Sequence, residues 1–366
     1  MSKKIVFFFI LLFSVGVFIG GLISYFKAGL ISNKKIVKKE SPRAPKQNKS
    51  NQVTVQSTSI FVPYWATFDD TFDVSKYDSV IYFGITPSYP GINTSEPGYA
   101  NIEKFVSAVP DGKKTQLTLR MVDTEQNFSI LKNRQNWDSI ADESISIANK
   151  YKFDGVVLDL EISALAFSDL KAQVLDFVQY FYSKTKGQNL HFTVLLYGDT
   201  IYRSRPYDVA RIAANADEIM VMAYDYHKSR GEPGPNFPLT GNATYGYDFT
   251  QMTKDFKKFV PANKLRVIFG MYGYDWEVDE HKRPYTAAKS LSLNDVRSKF
   301  LDNCTFKNCL VRRDQQSTET EVNYVESAAY VLHIVWFEDE QSVAAKKSLL
   351  EKAGIDKIGY WAYGYF

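Results

Sequence analysis

The chain has 366 residues, of which 45% are hydrophobic and 15% aromatic, and carries a formal net charge of +3. This is the composition of a globular protein with one large domain or two ordinary ones. The charge is small and much of the Lys and Arg lies in one N-terminal segment, which argues against a nucleic-acid partner.

Residues 1–4 form a short basic start. From Ile5 to Phe26 the chain carries no charged residue, and the run, preceded by Lys3 and Lys4, is long enough to cross a bilayer. It predicts an uncleaved signal anchor; a cleaved signal peptide is the alternative, but the run is long for one and no small-residue cleavage site comes after it. Lys27, Lys34, Lys35, Lys38 and Lys39 outnumber the positive charges before the run, which by the positive-inside rule would hold the large domain in the cytoplasm. Long domains often translocate regardless of such charges. Residues 27–58 are rich in Lys, Pro, Ser, Gln and Asn, and predict a basic disordered linker.

From residue 59 onward short apolar runs recur, and eight of them predict strands: Ile60–Trp65, Ser79–Ile85, Gln116–Met121, Phe153–Glu161, His191–Tyr197, Glu218–Asp225, Arg266–Tyr272 and Ile358–Tyr363. Between several of them the apolar spacing becomes helical, as in Asp138–Tyr151, Leu170–Lys184 and Ser342–Ala353, the last closed by Gly354. Strand alternating with helix implies parallel strands joined by right-handed crossovers. Eight such units point to an α/β fold, the closed (β/α)8 barrel, over residues 59–366. The stretch between the last two runs is too long for one unit and predicts a small α+β insertion at about 277–335. Within it Cys304 and Cys309 are spaced for a short-loop disulfide, whereas a zinc site would need more ligands than this region supplies.

The fourth run places acids in an apolar strand. Side chains alternate faces, so Val157, Asp159 and Glu161 share one wall at the strand's C-terminal end, where α/β barrels carry their active sites. Burying like charges together costs stability, so the pair suggests chemistry; a pair held by buried donors is the structural alternative. A proton donor beside a fixed negative charge suits glycoside hydrolysis. No Gly-rich phosphate loop is present for phosphoryl transfer and no His cluster for a metal hydrolase, so no cofactor or metal is expected.

Asp154-Gly155-Val156-Val157-Leu158-Asp159-Leu160-Glu161 resembles the DGxDxDxE motif of glycoside hydrolase family 18, the chitinase-like barrel enzymes. Asp154, Gly155, Asp159 and Glu161 match, and Val157 departs where the family usually carries an acid or amide. Met222-Ala223-Tyr224-Asp225-Tyr226-His227 resembles the family's sixth-strand segment, Phe269 to Trp276 its seventh, and Trp361 falls where the eighth strand supplies a Trp. The wording of Tyr224 to Pro235 and of Gly273 to Trp276 is most similar to the bacterial spore-cortex and cell-wall N-acetylglucosaminidases.

The resemblance implies a retaining, substrate-assisted hydrolysis of β-1,4-linked N-acetylglucosamine-containing glycans, peptidoglycan or chitin-like. Glu161 would be the general acid, Asp159 would orient the substrate's acetamido group, and Tyr224 would hold its oxygen. Asp225, Trp361, Met222 and Tyr64 are expected at the sugar, and Trp276 and Trp65 are weaker substrate-binding candidates for outer subsites, with core or rim packing the equal alternative. Tyr224 and Trp361 could equally be barrel filling, and His227 is expected to fix a loop rather than act as a base. Val157 can neither accept nor donate a hydrogen bond, so Asp159 is expected to stay turned toward Glu161, with a lower or acid-shifted rate. A glycan-binding lectin on the same barrel is the alternative, although lectins of this kind generally lack the catalytic acid. Such glycans lie outside the plasma membrane, so the expected protein is a monomer whose barrel is membrane-anchored and extracytoplasmic, or secreted after signal cleavage.

Overall fold

A computed structural model describes residues 57–366, apart from 165, 328 and 329. The expected anchor at 5–26 and nearly all of the linker lie outside these residues. Among the described residues no helix is long and apolar enough to cross a membrane.

Eight parallel strands form a barrel: β1 (Ser57–Pro63), β2 (Ser79–Ile85), β3 (Lys114–Met121), β4 (Gly155–Leu160), β5 (His191–Tyr197), β6 (Glu218–Ala223), β7 (Leu265–Gly270) and β13 (Lys357–Trp361). They close in the order β1-β13-β7-β6-β5-β4-β3-β2. All eight coincide with the predicted runs. The three predicted helices are present as Gln135–Lys150, Ser168–Lys186 and Glu340–Lys352, and Gly354 adopts the left-handed conformation that ends the last of them.

Strand alternation produces two apolar layers. Phe61, Ile81, Phe83, Val157, Leu195, Met220, Met222 and Ile268 fill the barrel interior. The intervening positions, such as Val156, Leu158 and Val194, face outward onto the helices.

Two boundaries differ from expectation. Ser57 and Thr58, assigned to the linker, pair with Lys357 and Ile358 and so belong to β1; their polar side chains conceal the strand. The insertion begins earlier than residue 277 and ends later than 335. Its antiparallel sheet is built from β8 (Tyr272–Val278), β9 (Lys289–Ser292), β10 (Lys307–Arg313), β11 (Thr320–Glu326) and β12 (Val331–Phe337), in the order β10-β11-β12-β8-β9. The run through Tyr272 and Trp276 therefore spans two strands, not one. After Gly270 the chain leaves the barrel, and β8 pairs with β12 instead. Cys304 and Cys309 form a disulfide that ends within β10.

Candidate active site

The motif of the fourth strand is split between the two ends of the barrel. Asp154 lies at the N-terminal end, where its Oδ2 accepts from the Thr115 backbone N at 2.7 Å and its own carbonyl accepts from His191 N at 3.0 Å. It ties β4 to both neighbours and takes no part in the cleft. Gly155 is needed for that pairing, because a Cβ there would stand 2.4 Å from the His191 carbonyl oxygen. Asp159 and Glu161 sit at the opposite, C-terminal end.

A cleft of about 290 Å³ opens there, and Asp159, Glu161, Met222, Tyr224, Asp225 and Trp361 all line it. Strands that are distant in sequence thus bring six of the expected site residues to one place. Asp159 is buried, and its carboxyl is pushed well above the usual range, first by loss of solvent and then by the charge of Glu161; the facing Arg120 opposes the shift. Its Oδ1 is buried without a hydrogen-bond partner among the described residues. Val157 lies one layer below, within the apolar interior, and in register with Thr118, whose hydroxyl is also unpartnered.

Glu161 Oε2 accepts a hydrogen bond from the Tyr197 hydroxyl at 2.6 Å. Burial raises the Glu161 carboxyl, and the Tyr197 hydrogen bond and the nearby Lys228 and Arg205 charges pull it partly back. The result is a carboxyl held toward its protonated form beside a second, more deeply buried one.

Tyr224 and Asp225 come directly after β6. A Cβ on Gly270 would meet the Tyr224 Cβ at 2.7 Å, so glycine there lets the tyrosine lie against β7. Asp225 has φ of +56°, a left-handed conformation that non-glycine residues adopt at a cost on the order of 1 kcal/mol. Its backbone N donates to Asn236 Oδ1 at 2.7 Å, and its carboxylate accepts from the hydroxyls of Tyr272 and Tyr274, the latter at 2.8 Å. Asn236 is fixed in turn by Glu319 of the insertion, whose Oε2 accepts from Asn236 N at 2.5 Å. The aspartate is therefore positioned from outside the barrel.

Trp361 stands across the cleft, packed edge-on to Phe83 at 4.7 Å and against Phe61 at 5.7 Å. Trp65, half exposed at 50%, extends this aromatic wall, with its ring 6.3 Å from Trp361.

Two expected sugar contacts are placed elsewhere. Tyr64 packs against the outer core, with the Arg120 guanidinium 4.5 Å over its ring, and does not line the cleft. Trp276 shares the β8 face of Tyr272 and Tyr274, but it is fully buried and its Nε1 donates to the Gly231 carbonyl at 3.0 Å. The loop carrying Gly231 covers its ring, so the packing alternative holds for this residue. His227 fixes a loop as expected, its Nδ1 lying 2.8 Å from the Pro235 carbonyl.

Tyr197, Tyr272, Tyr274 and Lys228 are cleft residues that the sequence reading did not single out. Tyr197 carried a usable signal, since it ends the fifth predicted strand on the catalytic side. Among the described residues no group of three or more His, Cys, Asp or Glu is placed to hold a metal ion.

The chain is 26% identical over 244 residues to the uncharacterized glycosylase YvbX of Bacillus subtilis, a match covering 64% of each protein. It is 27% identical over 150 residues to the cortical fragment-lytic enzyme of Bacillus anthracis, covering 40% of this chain and 31% of that one. The matches thus span less than two thirds of these relatives' lengths. In fold it is similar to the group IV chitinase of Ostrinia furnacalis in complex with allosamidin, with a TM-score of 0.71 at 16% identity over 84% of this chain and 92% of that one. The model of the family described as "Glycosyl hydrolases family 18" matches residues 39–365, and the chain belongs to that family.

Proposed function

We propose that this protein is a retaining glycosidase that cleaves β-1,4-linked N-acetylglucosamine-containing glycans by substrate-assisted catalysis. The observation that carries the reading is the convergence of Asp159, Glu161, Tyr224, Asp225 and Trp361 on one cleft, with Glu161 biased toward its protonated form. Glu161 protonates the glycosidic oxygen as the bond to the leaving sugar breaks. The acetamido carbonyl oxygen of the remaining sugar attacks its own anomeric carbon from the opposite face, giving a cyclic oxazolinium ion. Asp159, whose Oδ1 has no other partner among the described residues, accepts from the acetamido N–H and balances the positive charge. The Tyr224 hydroxyl holds the acetamido oxygen in line, Asp225 hydrogen-bonds the distorted ring, and Trp361 stacks beneath it. Water, deprotonated by Glu161, then opens the ion with net retention.

The names of the Bacillus relatives and of the chitinase agree with this substrate class. The decisive test is Glu161→Gln: release of reducing ends from N-acetylglucosamine oligomers should fall by about a hundredfold to ten-thousandfold while oligomer binding persists. Full activity in the variant would sink the assignment, and a wild type that binds but never hydrolyses would identify a lectin. We further infer, from the apolar stretch at 5–26 and the extracellular location of such glycans, that the barrel is tethered to the membrane on its outer side.

A further inference from the structure

A second cleft, of about 710 Å³, adjoins the catalytic one, and Lys228 lines both. Its walls carry Arg203, Arg205, Lys228 and Arg230, against a single lining acid, Glu232. Arg203 and Arg205 both reach Asp199, each with Nε 2.6 Å from one of its oxygens, so one carboxylate serves two guanidinium groups. Lys228 and Arg230 have no carboxylate within ion-pair distance among the described residues, though Lys228 also faces Glu161. Arg205 and Lys228 are held toward the chemistry by the Tyr197 ring, which they approach at 4.0 and 5.1 Å. The same tyrosine donates to Glu161. A cleft with such a surplus of cations is built for an anion.

Topology says which part of a substrate reaches it. The closed order β1-β13-β7-β6-β5-β4-β3-β2 sets β4, β5 and β6 directly across the barrel from β13, β1 and β2. Trp361 and its partners Phe61 and Phe83 occupy the second side, and the basic cleft lies above the first. A glycan whose reacting sugar stacks on Trp361 and whose scissile oxygen meets Glu161 must send its leaving sugar over β4–β6, into the cations.

We propose that Arg203, Arg205, Lys228 and Arg230 form a carboxylate subsite for the leaving side of the glycan. The preferred substrate is then an N-acetylhexosamine polymer whose residue beyond the scissile bond carries an acidic substituent, rather than neutral chitin. This rests on the glycosidase reading and specifies its substrate. The carboxylate can sit on the sugar, as in the 3-O-lactyl ether of N-acetylmuramic acid, or on a short peptide attached there; the chemistry is shared.

The test uses the full chain and four tetrasaccharides of equal length: chitotetraose, alternating N-acetylglucosamine–N-acetylmuramic acid, its lactyl methyl ester, and its peptide-bearing form. The expected result is a higher kcat/KM for at least one acidic substrate than for chitotetraose and the neutral ester, with the advantage shrinking as salt is raised. In Arg230→Gln and in the Arg203→Gln/Arg230→Gln double variant, the ratio of kcat/KM for acidic over neutral substrate should fall about tenfold, and Arg230→Lys should restore most of it. Preference for the free lactyl form places the anion on the sugar, and preference for the peptide form places it on the peptide. Equal rates on acidic and neutral tetramers, or a ratio that the Arg variants leave unmoved, overturns the subsite while leaving the glycosidase reading intact. Hydrolysis of none of the four sinks that reading instead.

Discussion

A carboxylate buried as deeply as Asp159 is normally met by hydrogen-bond donors, yet its Oδ1 has none among the described residues. Val157 accounts for this in part, because the residue one layer below on the same wall contributes only methyl groups to the apolar interior. The carboxyl is raised by burial, so under the proposed mechanism the anion that balances the oxazolinium ion is lost early as pH falls, the reverse of the acid shift expected from the sequence. In Val157→Asn the new amide can donate to Asp159, stabilising its anion and moving the acid limb of the pH–rate profile to lower pH. The cost is about 1–3 kcal/mol of stability from burying an amide in an apolar layer. A profile unchanged in both limbs would remove this account of Val157. Glu161 works in the other direction. As the proposed general acid it must be protonated to act, so its raised pKa would set the alkaline limb, and the Tyr197 hydrogen bond lowers that pKa. Tyr197→Phe should therefore shift the alkaline limb to higher pH, with a reduced kcat; a shift to lower pH would contradict the assignment of Glu161 as the acid.

At the level of elements, the insertion supports the catalytic wall from outside the barrel. Lys346, on the last helix, is fully buried between Glu319 on the approach to β11, at 2.9 Å, and Glu338 just after β12, at 2.5 Å. Glu319 also binds the backbone of Asn236 and Phe237, and Asn236 holds Asp225 in its left-handed conformation. One cation shared by two buried acids leaves Glu338 raised to about 8, chiefly by burial, with its Oε2 unpartnered among the described residues. Because the folded pKa lies above the unfolded value of about 4.3, folding binds a proton between these limits and stability declines as pH rises from about 4 toward 8. Thermal unfolding of Glu338→Gln should show a flatter pH dependence across that window. Lys346→Met should lose about 3–5 kcal/mol, because it strands both acids. Activity would fall with it through Asn236 and Asp225. Equal pH slopes in wild type and Glu338→Gln would show that Glu338 does not titrate in this range. None of this network was legible in the sequence: Glu319 and Lys346 lie far from the motif, and only the closing of β8 against β12 brings the insertion to the barrel rim.

For the whole molecule, the first and last described strands are neighbours, and β1 pairs with β13 to close the barrel. The proposed tether would thus join the barrel at the start of its closing strand. Protease added to intact cells should degrade the barrel if it faces outward; full protection until the membrane is permeabilised would place it inside and remove the proposed location. The eight barrel strands were readable in advance because parallel strands covered on both faces are near-continuous apolar runs, broken by amphipathic helices. Asp159, Glu161, Tyr224, Asp225 and Trp361 were readable too, because each falls at a strand's catalytic end within a recognisable local pattern. Local pattern cannot report what lies opposite a side chain. Trp276 looks like Tyr274 along β8, and only the packing of the loop carrying Gly231 decides that one ring is sealed and the other meets Asp225. Arg203, Arg205, Lys228 and Arg230 read as scattered surface cations until the β5 and β6 loops set them around one cleft beside Glu161. Sequence alone determined the barrel and its acids, because periodicity and motif are local properties. Which aromatics are open and where the cations gather were decided by tertiary structure, because both depend on contacts between segments far apart in the chain.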